Sequence, residues 1–219
     1  MKFRLISDLH LECKYTNLTV IIDKMKKFNK INKVDYLIMA GDITTFNNIH
    51  KLDSFLNIIK NDYLNIFYIL GNHEFWGTKE NSTNIINKYR ETKYVTVLEN
   101  EIYKLSENLS IFGSTLWTPN FPNSHTSARN HLQSLQQLSN EFIVVTHHIP
   151  SLQLIDNKYK NLDNKNFASN CEDVLGNNIP YFFHGHSHTS VNKVVNGINF
   201  VRNPCGNKDY ILNYLKGKS

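Results

Sequence analysis

The stretch NIFYILGNHE, residues 65–74, decides how the chain is read. Asn65 to Leu70 is a short, nearly continuous apolar run, the pattern of a strand buried on both faces. Gly71 then lets the backbone turn tightly, and Asn72, His73 and Glu74 are bunched where no apolar packing calls for them. Four other apolar runs end in a similar way. KFRLIS (2–7) leads to Asp8-Leu9-His10, DYLIMA (35–40) to Gly41-Asp42, FIVVT (142–146) to His147-His148, and YFFH (181–184) to Gly185-His186-Ser187-His188. In open α/β sheets, sites form in the crevice beyond the carboxyl ends of the strands, where these five clusters could meet. No single cluster persuades. Asp8 and His10, two apart, would share one face of a continuing strand and could be no more than its polar rim, and Gly-Asp is ordinary turn chemistry.

Helical patterns separate the early strands, at about 18–30, 48–60 and 80–92, so an α/β fold is expected. After residue 93 the pattern changes to closely spaced strands at 94–98, 101–105 and 109–113, and again at 190–195, 198–202 and 210–215. These read as hairpins, with Asn196-Gly197 a strong two-residue turn, and a mixed sheet follows. The 219 residues suit one domain spanning 1–219, and 41% hydrophobic with 20% charged residues is ordinary for a globular chain. A net charge of +5 and a pI near 9.0 permit an anionic substrate. The basic residues are dispersed, however, and Lys24, Lys26 and Lys27 read as the solvated face of a helix whose stripe is Leu18, Ile21, Ile22, Met25 and Phe28. A nucleic-acid partner is therefore compatible with the chain but not indicated. No run approaches the ~20 apolar residues of a membrane span. Cys13, Cys171 and Cys205 are odd in number and lack metal-type spacing, which fits free thiols in a reducing, cytoplasmic setting. The Asn-x-Ser/Thr triplets at Asn17, Asn81 and Asn108 carry no meaning there.

Order and joint occurrence give the five clusters their weight. Asp-x-His, Gly-Asp, Gly-Asn-His-Glu, a strand-terminal His and Gly-His-x-His, in this order from residue 8 to residue 188, resemble the calcineurin-like metallophosphoesterase superfamily. STLWT (114–118), VVTHHIPS (144–151) and NPCG (203–206) extend the resemblance to a subgroup of small single-domain predicted phosphohydrolases. Residues 119–141 look shorter and less regular than that subgroup would have. The resemblance implies two mixed β-sheets packed as a sandwich and flanked by helices. It implies two divalent metal ions about 3.5–4 Å apart, the first held by Asp8, His10 and His188, the second by Asn72, His147 and His186, with Asp42 bridging. Manganese is the first expectation for oxygen and imidazole ligands, with Fe, Zn, Ni or Mg as alternatives.

The implied activity is hydrolysis of a small phosphomonoester, phosphodiester or nucleotide by a water or hydroxide shared between the metals, with His73 as the catalytic residue that protonates the leaving oxygen. A nuclease or nucleotide phosphodiesterase using the same centre, and a non-catalytic metal-binding scaffold, are the competing classes. Glu74 is expected to orient the site through hydrogen bonds. Of His147 and His148 only one would face the metals, and family precedent favours the first. His184 reads as buried support. His50, His125 and His131 lack motif context, the last two lying in a surface loop on this reading, and Trp76, Trp117, Tyr159 and Asn203 are candidate pocket walls.

Overall fold

The apolar runs are continuous because each strand they form is covered on both faces. In the computed structural model, which describes residues 1–206 and 211–213, strands β1 (Lys2–Ile6), β2 (Tyr36–Ala40), β3 (Asn65–Ile69) and β4 (Thr96–Val97) are parallel neighbours. Alternate residues along them serve different cores, as the two-residue period of a strand requires. Phe3, Leu5, Ile38, Ala40, Phe67 and Ile69 pack against the other sheet, whereas Leu37, Met39 and Tyr68 point outward under helices. Those helices are α1 (Leu18–Asn32), α2 (Ile49–Ile59) and α3 (Ser82–Arg90), whose Ile22, Met25, Phe28, Leu52, Phe55, Ile85 and Tyr89 complete the outer core. Asn17 and Asn81, both in glycosylation-like triplets, are helix N-caps that accept from the amides of Val20 at 3.2 Å and Asn84 at 2.9 Å.

The second sheet holds six strands, in the order β5 (Glu101–Lys104), β6 (Leu109–Ser114), β7 (Glu141–Thr146), β8 (Tyr181–His184), β10 (Ile198–Arg202) and β9 (Val191–Val195). β6, β7, β8 and β10 are parallel, and the two edge strands are antiparallel. Leu109, Ile111, Ile143, Val145, Phe183 and Val201 meet the first sheet, so the shared core lies between two mixed sheets. The architecture is the expected α/β sandwich flanked by helices. β11 (Ile211–Asn213) pairs antiparallel with β1 and closes one edge of the first sheet. Residues 210, 214 and 215 of the strand expected at 210–215 lie outside the described residues. No helix among the described residues is long and apolar enough to cross a membrane.

Two expectations change. The strands after residue 93 are not all hairpins: β4 belongs to the first sheet and β5 to the second, so the chain passes between sheets at residues 98–100. The hairpins are β5–β6 and β9–β10, the latter turning on Asn196 and Gly197 with φ of 49° and 82°. Residues 119–141 are not irregular either. They contain α4 (Pro122–Leu135), with Pro122 in its first turn and Ala128, Leu132 and Leu135 buried on the outer face of the second sheet. A stripe of three apolar residues in a polar helix leaves little periodic signal.

Candidate metal centre

The parallel strands of both sheets end on one side of the sandwich, and the loops that leave them are bonded to one another. Asp8 N donates to Gly41 O at 2.9 Å and His10 N to Asp42 O at 3.0 Å, so the loop after β1 rides on the loop after β2. Gly185 N donates to His147 O at 3.0 Å, and His186 N reaches Asp8 Oδ1 at 3.1 Å, joining the two sheets. Such close approach leaves no room for a side chain at Gly41, Gly71 or Gly185. A Cβ on Gly71 would meet the Asp42 carboxylate and, at 2.5 Å, its amide nitrogen; one on Gly185 would meet the Ala40 carbonyl.

Asp8 and His10 do not lie on a continuing strand. β1 ends at Ile6, and both residues take left-handed backbone, with φ of 54° and 47°. Asp42 (54°) and His186 (71°) do the same. Left-handed non-glycine residues are uncommon and cost free energy, and four of them sit at one place where neighbouring loops hold them.

The loops bring all seven expected ligands together. Asp8, His10 and His188 offer atoms within 4.8 Å of one another, as do Asp42, His147 and His186. Asn72 Oδ1 lies 3.0 Å from His147 Nε2. His147 Nδ1 lies 3.0 Å from Ala40 O, which only accepts, so that nitrogen carries the proton. The remaining lone pair on Nε2 then faces Asn72 Oδ1 at 3.0 Å, His186 Nδ1 at 3.1 Å and Asp42 Oδ1 at 3.3 Å. His10 Nε2 and His188 Nε2 likewise face each other at 3.3 Å, with His10 Nδ1 turned to Glu12. Lone pairs converging on lone pairs need a proton or a metal between them, and oxygen with imidazole donors suits a divalent first-row ion.

The proton affinities follow the same logic. Burial disfavours an imidazolium at His147, but the Asp42 carboxylate outweighs it and pushes the group up to about 9. Burial likewise opposes ionisation of Asp42, and His147 overcomes it to hold that carboxyl below the usual range. Burial depresses His186, with His148 and His147 adding to the effect, so His186 presents a neutral ring.

Glu74 supports the centre from beneath it. Its buried carboxylate accepts from the amides of Asp42 (3.0 Å), Ile43 (2.7 Å) and Gly71 (2.7 Å) and from Tyr68 Oη (2.5 Å), binding the loops after β2 and β3 into one unit. His73 stands at the mouth, its Nε2 3.9 Å from Asp42 Oδ2 and its ring stacked 3.7 Å from that of Trp76. His148 turns its Nδ1 to Thr115 O at 3.1 Å, although its ring packs 4.4 Å from that of His186. Burial and the neighbouring His147 push it down to about 3. His184 is fully buried, and Asn203 Nδ2 donates to Leu5 O at 2.9 Å, tying β1 to the end of β10. Trp117 packs on Phe75, Phe121 and His148, and Tyr159 lines a cavity beside His186 and His188. His50 is on α2; His125 and His131 are on α4, not in a loop, and none of the three joins the cluster.

Sequence reasoning missed Glu12. Its Oε1 accepts from His73 Nδ1 at 3.0 Å and lies 3.2 Å from His10 Nδ1, so one carboxylate oxygen orients two imidazoles. Burial opposes its charge, but hydrogen bonds from both histidines bring it down to about 2. The alternation Asp8-Leu9-His10-Leu11-Glu12 carried the signal, since the third polar residue continues the pattern of the first two.

The model of the calcineurin-like phosphoesterase family matches residues 1–190, and the chain belongs to that family. It is a hydrolase of ester bonds, in a family that uses divalent metals on phosphoesters. Uncharacterized protein L509 of Acanthamoeba polyphaga mimivirus is 27% identical over 264 residues, covering 93% of this chain and 90% of that protein. Among solved structures, the phosphopantetheinyl hydrolase PptH from Mycobacterium tuberculosis superposes with a TM-score of 0.64 at 14% identity, over 93% of this chain and 88% of that one. A dimetal phosphatase from Danio rerio gives 0.62 at 13% identity, over 92% and 86%. At these identities the likeness is one of fold.

Proposed function

We propose that this chain hydrolyses small phosphoesters at two divalent cations, manganese first among them. Asp8, His10 and His188 would hold one, Asn72, His147 and His186 the other, with Asp42 available to both. The convergence of Asn72 Oδ1, Asp42 Oδ1 and His186 Nδ1 on Nε2 of His147 carries the reading. When bound, such cations supply positive charge to the phosphoryl oxygens and lower the pKa of water.

The protein's own groups do the rest. Asp42, nearly fully buried, would offset the repulsion between two such cations, and Glu74 keeps its backbone in place. Glu12 takes the Nδ1 proton of His73 as a hydrogen bond and so turns Nε2 toward the mouth, where that nitrogen passes its proton to the departing oxygen. Trp76 stacks on the same ring and limits its rotation.

Elemental analysis together with hydrolysis of an aryl phosphate by the manganese-loaded protein tests the reading. Wild-type protein is expected to bind two metals per chain. Asp42→Asn should lose at least one of them, with turnover falling by roughly 10³-fold through loss of several kcal/mol of charge stabilisation. An Asp42→Asn variant with unchanged metal content and rate would sink it.

A further inference from the structure

A cavity of about 400 Å³ opens beside the metal-facing histidines, with His186, Ser187 and His188 on one side. The crossover from β7 to β8 builds the other side, and its contribution is largely apolar: Ile155, Tyr159, Leu162 and Phe167 line the space. Tyr159, Leu162 and Phe167 are 43%, 62% and 47% exposed. Large apolar side chains grouped in a concave wall are the usual form of a ligand site and are uncommon as bare surface. Phe167 also tilts over the ring of His186, with centroids 5.3 Å apart, so the apolar wall begins where the candidate metal ligands end.

Charge narrows the occupant further. No lysine or arginine lines this cavity among the described residues, whereas Asp156 and Asp163 do. Lys160 and Lys165, from the same segment, line the adjoining hollow with Pro119 and Asn170, which shares Ile155, Leu162, Asp163 and Asn164 with the cavity. Asp156 is fixed by Thr189 Oγ1, which donates to it at 2.7 Å, and by the fully buried Arg202 at 3.9 Å behind the wall. Asp163 meets Lys165 at 3.5 Å on the exposed rim. The charged side chains that line the cavity itself are thus carboxylates, Asp163 being paired with Lys165 at the rim and Lys158 Nζ lying 4.5 Å from the centre of the Tyr159 ring.

We propose that the cavity receives the organic half of the substrate, and that this half is an aromatic or apolar group bearing no second phosphate and no carboxylate. The inference rests on the phosphoester reading above, because a phosphate at the metal cluster is what brings the organic group to the cavity.

Calorimetry of manganese-loaded protein with methylphosphonate, phenylphosphonate and 4-carboxyphenylphosphonate, none of them hydrolysable, separates the two claims. Phenylphosphonate should bind about tenfold more tightly than methylphosphonate, the size of effect expected for burying and stacking one ring. The carboxylated ring should lose most of that gain. Phe167→Ala, and separately Leu162→Ser, should draw phenylphosphonate toward the methylphosphonate affinity. Equal affinity for the methyl and phenyl compounds, or a phenyl preference that survives both substitutions, overturns the cavity assignment while leaving the phosphoester reading standing. Equal affinity for the phenyl and carboxyphenyl compounds overturns the charge assignment. If none of the three binds and no aryl ester is cleaved, the phosphoester reading falls and takes this inference with it.

Discussion

The two sides of the site are built in opposite ways. The metal-facing side is made of strand-end loops bonded backbone to backbone, braced by the buried Glu74 and containing four residues in left-handed conformation. The cavity side, along residues 152–168, consists of short single-turn helices at Leu152–Leu154 and Asn157–Tyr159 and the turns that follow; Leu154, Ile155 and Ala168 anchor it in the core, whereas Leu152, Tyr159, Leu162 and Phe167 remain about half exposed. A metal site must hold its donors in one geometry before the ion arrives, and strain is tolerated there only because neighbours over-determine it. A wall that meets the organic part of a substrate needs shape and apolar area but not ångström-level fixation. Its local stability is correspondingly low, since few of its side chains are buried.

Substitutions on the two sides should therefore differ in kind, and Glu74→Gln is the strongest test. It places an amide NH₂ against backbone N–H donors in a fully buried position, so a loss of about 3 kcal/mol or more is expected in urea denaturation. A loss under about 1 kcal/mol would erase the contrast drawn between the two sides.

Glu12→Ala addresses orientation on the same side. With one carboxylate oxygen gone, both His10 and His73 lose their positioning partner, and kcat should fall about 10- to 100-fold. Turnover of an alkyl phosphate should suffer more than that of a nitrophenyl phosphate, whose leaving oxygen needs no proton. Equal loss for both would assign Glu12 to the metal alone.

Glu99 lies behind the site, where it accepts from both the amide and the hydroxyl of Thr115 at 3.0 Å and 2.7 Å. Burial pushes its carboxyl from an ordinary 4.5 up to about 7, with the Thr115 bonds opposing. Between those values the folded chain keeps a proton that the unfolded chain has released. Its contribution is thus complete below about pH 4.5 and is lost as pH rises through about 7. The side chain is partly exposed, so the slope is expected to be worth about 1–2 kcal/mol, less than the full shift would carry. Glu99→Gln should flatten it, as unfolding measured at both ends of that range will show.

Leu162→Ser should have the smallest effect on stability, within about 0.5 kcal/mol, because its side chain is already 62% exposed. A large loss there would mean that the substrate-facing wall is as tightly built as the metal side.

Much of this was legible along the chain. The strands of the sandwich announce themselves because burial on both faces requires uninterrupted apolar runs, and Phe3, Ile38 and Phe67 serve one core while Leu37, Met39 and Tyr68 serve another. Helix α4 was not legible, since three buried residues in fourteen leave almost no periodicity. The passage of the chain from β4 in one sheet to β5 in the other was hidden as well, because strand spacing does not say which partner a strand will choose.

For the site, sequence alone determined the residue types and their order: carboxylates, an amide and imidazoles placed directly after apolar runs, where parallel strands deliver their ends to one crevice. It could not say how Asp8 and His10 are displayed. Local spacing puts them on one strand face, but hydrogen bonds to Gly41 and Asp42, distant in sequence, hold both in left-handed backbone instead. Only tertiary structure joined Glu12 to His73, 61 residues away, and set Phe167 over His186 at the cavity. Strand and ligand chemistry are local properties of a sequence, whereas the orientation of a side chain in a loop is decided by whatever packs against that loop.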